Sequence, residues 1–121
     1  MGIAMKDETY NGWTNRETWA WNLLVSNDQY LQEHFVEVCV GKRQAYVLAD
    51  LNVRPSWPLT EHRVGYWLQN AFDEYLSEDD ELSRPVELAF RREVGSFWRI
   101  NWAEIGEHYI VMMDEYEGEK A

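Results

Sequence analysis

One stretch of the chain constrains its fold more than any other. Between Glu61 and Leu76 the apolar residues Val64, Trp67, Leu68, Ala71, Phe72, Tyr75 and Leu76 recur at spacings of three and four. That period matches the 3.6-residue turn of an α-helix and puts every apolar side chain on one stripe. A helix with so wide an apolar stripe must bury it against other elements.

Similar signals fill most of the 121 residues. A first helix is expected from about Arg16 to Ser26. Thr14 and Glu17 are spaced as a capping box at its start. Trp19, Leu23 and Leu24 form its expected apolar face, widened by Ala20, while Trp21 points elsewhere. Asn27 and Asp28 end this helix and cap a second, from Gln29 to about Val40. Tyr30, Leu31, Phe35, Val38 and Cys39 make the buried stripe of that second helix, and Gly41 stands where a C-cap is expected. Gln44 to Leu51 reads as a third helix. Pro55 and Pro58 make the stretch from Arg54 to Pro58 an extended connector.

Thr60 caps the fourth helix, Glu61 to Leu76. Ser83 caps a fifth, with Pro85 in its first turn and a face made of Val86, Ala89, Phe90, Val94, Phe97 and Trp98. Asn101 caps a sixth, about Trp102 to Met112, lined by Trp102, Ile105, Tyr109 and Met112. The expectation is an all-α protein, a compact bundle of about five or six short helices with an aromatic-rich core. Its length fits a single helical domain over 1–121, with an extended lead at 1–12 and a frayed acidic tail at 114–121. Seven Trp, seven Tyr and four Phe supply that core, each large ring burying roughly 150–250 Å².

Composition narrows the function. There are 22 acidic and 11 basic residues, a formal charge of −11. Such a chain lacks the basic footprint of a nucleic-acid binder and is repelled by anionic membranes. No apolar run reaches the roughly 20 residues of a membrane-spanning helix. The first residues lack a hydrophobic signal core, and the single Cys39 forms no intrachain disulfide. A cytoplasmic location is expected.

Catalytic and metal patterns are not found. His34, His62 and His108 stand in separate segments, and Glu104 with His108 is better explained as an exposed i,i+4 pair. Gly41-Lys42-Arg43 lacks the upstream glycine and the terminal Ser or Thr of a phosphate loop. No nucleophile elbow is present. Glu78 to Glu81 lacks the alternation and glycine of a calcium loop. No cofactor, metal or catalytic residue is therefore expected. The acids themselves are the candidate partner-binding residues: Asp73, Glu74, Glu78, Asp79, Asp80 and Glu81, with a second group at Asp114, Glu115, Glu117 and Glu119.

Two segments carry a resemblance. Asn11-Gly12-Trp13-Thr14-Asn15-Arg16-Glu17-Thr18-Trp19 resembles the opening motif of a family of small uncharacterised proteins of phages, plasmids and some archaea. Ile100 to His108 is similar to that family's closing helix, which starts with an Asn-Trp pair. The two together cover about a sixth of the chain, and the resemblance does not extend to the middle, from Val40 to Arg99. The resemblance implies a mobile-element origin and a small helical domain, and it brings no activity. Gly12 is expected to permit a tight turn, with Trp13 and Trp19 buried; the other use of the motif is a binding site built from Asn11, Asn15 and Arg16.

These observations lead to an acidic, non-enzymatic interaction protein, an inhibitor that occupies the basic, nucleic-acid-binding site of a host defence protein. The alternative is a small ligand binder or enzyme with an aromatic pocket of Trp13, Trp57 and Trp98, using Arg16 or His62 as polar groups.

Overall fold

The computed structural model describes residues 10–53, 60–77 and 84–120, the side chains of 46–53, 119 and 120 excepted. Five α-helices follow in order: α1 (Arg16–Ser26), α2 (Gln29–Val53), α3 (Glu61–Ser77), α4 (Arg84–Glu93) and α5 (Trp102–Lys120). A 3-10 turn, Phe97–Arg99, joins the last two. No strand occurs among the described residues, so the protein is an all-α bundle.

The helix starts follow local chemistry. Asp28 Oδ1 accepts from the Leu31 amide at 3.2 Å, and Thr60 Oγ1 accepts from the Arg63 amide at 3.2 Å. Asn101 Oδ1 accepts from the Glu104 amide at 3.1 Å. Each satisfies an amide that the helix itself leaves unpaired. The expected Ser83 cap and the Arg54 to Pro58 connector lie outside the described residues.

Three helix expectations need correction. The fifth predicted helix ends at Glu93, so Phe97 and Trp98, expected on its face, lie instead on the 3-10 turn, with Trp98 exposed. The second and third predicted helices are one, because α2 runs unbroken through Gly41 to Val53. Gly41 is not among the residues with positive φ, so it works as an interior helical residue and not as a C-cap. The residues from Asp114 onward, expected to fray, continue α5 to Lys120.

At the centre of the core lies Trp21, fully buried. Its ring lies 5.5 Å from Phe35 of α2, 5.7 Å from Phe72 of α3, 6.3 Å from Phe90 of α4 and 5.2 Å from Trp102 of α5, centroid to centroid. One residue of α1 thus meets all four other helices. This overturns the expectation that Trp21 points away from the core. The buried residues of α1 are Thr18, Ala20, Trp21 and Val25; Ala20 is buried as expected, while Thr18, Trp21 and Val25 set a spacing of three and four that includes a threonine. Leu23 is exposed, and Trp19 and Leu24 pack at the core's edge.

The α3 stripe is buried as its period requires: Val64, Trp67, Leu68, Ala71 and Phe72, with Tyr75 and Leu76 at the margin. On α2, Leu31, Phe35 and Cys39 are buried, but Tyr30 is 74% exposed. On α5, Met113 takes the fully buried place expected of Met112, which packs at the margin.

Helices α3 and α5 approach most closely at two glycines. A Cβ on Gly65 would overlap the Trp102 carbonyl, and one on Gly106 would overlap the Glu61 carbonyl. Glycine is required at both places because backbone occupies the space a side chain would need.

Candidate functional site

The opening motif begins with a tight turn. Tyr10 and Trp13 exchange backbone hydrogen bonds of 2.6 and 2.8 Å. Between them Asn11 and Gly12 both have positive φ, the requirement of a type I′ turn, for which Asn-Gly is the favoured pair. The turn delivers the motif to the start of α5. There Trp13 stacks on His108 at 4.4 Å, and the Thr14 amide donates to Glu104 Oε1 at 2.9 Å.

The cap of α1 differs from expectation. Asn15, not Thr14, is the N-cap, its Oδ1 accepting from the Thr18 amide at 2.9 Å. Thr14 Oγ1 accepts instead from Asn101 Nδ2 at 3.1 Å. Asn15 has a second task, donating from Nδ2 to the Arg99 carbonyl at 2.8 Å. Arg16 donates to the carbonyls of Glu93 and Val94 at the end of α4. Glu17 lies 3.5 Å from Arg99. The two segments that carry the family resemblance therefore form one polar junction, which no spacing argument within either could reveal.

Beside the junction lies an open hollow of about 610 Å³, lined by Tyr10, Thr14, Asn15, Arg16, Glu17 and Arg99. Asn15 and Arg16 belong to the motif-based binding site considered from sequence. Of the three tryptophans considered there for an aromatic pocket, two fall among the described residues. Trp13 is stacked on His108, Trp98 is 82% exposed on the 3-10 turn, and Trp57 lies outside the described residues.

The acids fall into two places. Asp73 and Glu74 are exposed on the last turns of α3. Glu78, Asp79, Asp80 and Glu81 lie outside the described residues, as does the side chain of Glu119. The second acidic group meets α2. Arg43 pairs with Asp114 at 2.8 Å and with Glu117, and the Tyr116 hydroxyl donates to Glu37 Oε2 at 2.9 Å. That hydrogen bond raises the Tyr116 phenol above its ordinary pKa, with the Glu37 and Glu33 charges adding to the rise. A smaller hollow of about 170 Å³, lined by Gln32, Glu33, Val36, Met112, Glu115 and Tyr116, runs along this seam. Glu33 and Glu37 had not stood out in the sequence. Their i,i+4 spacing reads as any solvated helix face until α5 is laid beside it.

Among the described residues, no three His, Cys, Asp or Glu side chains gather as metal ligands. Nor is any helix among them long and apolar enough to cross a membrane.

A model of a family of unknown function, DUF7249, matches residues 6–50. The match spans the opening motif, α1 and most of α2. No curated protein and no solved structure matches the chain.

Proposed function

We propose that the protein is a non-enzymatic acidic interaction module of a phage or mobile element. It acts in the cytoplasm and occupies the basic, nucleic-acid-binding surface of a host protein, inhibiting a defence complex. The observation that carries this reading is the seam between α2 and α5. There Glu33, Glu37, Asp114, Glu115 and Glu117 line two neighbouring helices, with Arg43 drawn among them. Asp73 and Glu74 add exposed charge on α3, continued in sequence by Glu78, Asp79, Asp80 and Glu81.

An array of fixed carboxylates attracts a basic groove as a phosphate backbone does, steering encounter and disfavouring uncharged competitors. The same charge repels nucleic acid and anionic lipid, so the partner is a basic protein. The resemblance of Asn11 to Trp19 to a phage and plasmid family supports the proposed origin.

The test is affinity capture from a host lysate at low salt, followed by binding isotherms over a salt series. Retention of a basic protein, released by salt and weakened when Glu33, Glu37 and Glu115 are changed to glutamine, supports the proposal. A column that retains nothing at low salt refutes it.

A further inference from the structure

At one end of the seam between α2 and α5 the carboxylates are bridged by an arginine of the chain itself. Arg43 donates from Nη1 to Asp114 at 2.8 Å and from Nη2 to Glu117, so one guanidinium spans two acids of α5. Its side chain is only 17% exposed. A covered stem with a fork of donors on two carboxylates is how arginine suits such a seam.

About two turns earlier on α2, the same pair of helices encloses the hollow of about 170 Å³. Glu33 of α2 and Glu115 of α5 line it, and both are exposed. Among the described residues, no lysine, arginine or histidine pairs with either acid. Beneath them lie Val36, which is buried, and Met112, which is half-buried. Gln32 crosses from α2, its Nε2 donating to Met112 Sδ at 3.5 Å, and its amide oxygen remains an acceptor. The hollow is therefore apolar at its floor and anionic at its rim.

Size and charge together choose the occupant. Sites that enclose whole small molecules measure roughly 300–1,000 Å³, so this one suits a single side chain. The rim selects a cation, and the floor selects one with an apolar stem. A guanidinium is less hydrated than an ammonium and presents a planar fork that can meet two carboxylates at once.

We propose that this hollow is a socket for one arginine side chain of the basic partner. The stem lies on Val36 and Met112, and the guanidinium meets Glu33 and Glu115. The inference rests on the reading of the seam as the partner-binding surface and adds which side chain that surface selects.

The test titrates the full chain at low salt with two peptides of equal charge, acetyl-Gly-Arg-Gly-Arg-Gly-amide and acetyl-Gly-Lys-Gly-Lys-Gly-amide. The methyl resonances of Val36 and Met112 report occupancy of the floor. The arginine peptide should shift both to saturation and bind about threefold more tightly than the lysine peptide. Changing Glu33 and Glu115 together to glutamine should weaken it about tenfold. Gln32→Trp fills the hollow at unchanged charge and should abolish the preference for arginine. If Gln32→Trp fails to fold, the double glutamine variant, altered only at exposed positions, and the wild-type comparison decide. Methyl resonances that stay in place overturn the proposal, as do equal affinities for the two peptides or a preference that survives Gln32→Trp. A lysate that yields a basic partner while the peptides fail would remove the socket and keep the seam. Arginine-selective binding with an empty capture column would do the reverse.

Discussion

The hydroxyl of Thr18 accepts a hydrogen bond from the Asn101 amide at 2.8 Å, joining the start of α1 to the start of α5 across 83 residues. Thr18 is fully buried, and the same hydroxyl donates to Asn15 Oδ1 at 2.7 Å. One buried polar atom thus satisfies the cap residue of α1 and the residue that caps α5.

Removing that atom strands a partner. Thr18→Val keeps the shape but leaves the Asn101 amide without its acceptor, and is expected to cost about 1–3 kcal/mol. Thr18→Ser keeps the hydroxyl and should lose less. Urea denaturation midpoints check the order; equal stability of all three proteins would mean the hydrogen bond contributes nothing.

The cap residue sets a second order. Asn15→Ala removes the α1 cap and the bond to the Arg99 carbonyl, so a loss of about 0.5–2 kcal/mol is expected. Thr14→Ala loses one exposed acceptor and should cost less than Asn15→Ala. The reverse ranking in thermal melts would restore Thr14 as the cap.

The glycines give opposite signs from one chemical change. Gly65→Ala and Gly106→Ala drive a methyl group into the facing backbone at the α3–α5 contact, and overpacking of this kind costs about 1–3 kcal/mol or more. Gly41→Ala meets open space inside α2 and should stabilise by about 1 kcal/mol through helix propensity. Calorimetric melting of the three variants shows whether the signs divide as expected.

The fold was legible wherever an apolar stripe was long and regular. The α3 face from Val64 to Phe72 needed no tertiary information, and Asp28, Thr60 and Asn101 announced their helices by type and position. Trp21 was misread because its buried face contains Thr18, and a polar residue at i−3 breaks an apolar count. The satisfaction of that hydroxyl by Asn101 is a tertiary fact. Gly41 was misread for a related reason: local preference marks a stop, but propensity is a weak prior that tertiary context overrides. Of the candidate site, Asp73 and Glu74 were visible as exposed acids. The α2–α5 seam was not, because Glu33 and Glu37 become neighbours of Tyr116 and Glu115 through helix packing.

Burial also governs Cys39. It pushes the thiol up to about 12, so the folded protein should resist a thiol-specific disulfide reagent at mildly alkaline pH and react on unfolding. The neutral thiol is the form the core favours. Its contribution is complete below the ordinary thiol pKa, about 8.5, and is lost as pH rises towards 12. Stability should therefore fall over that window, and less steeply in Cys39→Ala. Rapid labelling of native protein would place Cys39 outside the core.

The central claim, that fixed surface carboxylates direct this protein to a basic partner, is most directly tested by the association rate constant with the captured partner. It should be measured against ionic strength for the wild type and for a variant with Glu33, Glu37, Glu74 and Glu115 changed to glutamine and Asp73 to asparagine, acids that are all exposed on the seam or on α3. The account predicts a wild-type rate that falls steeply with salt, and a variant rate that is slower at low salt and falls less steeply, with dissociation little changed. Association rates independent of both salt and substitution would contradict it.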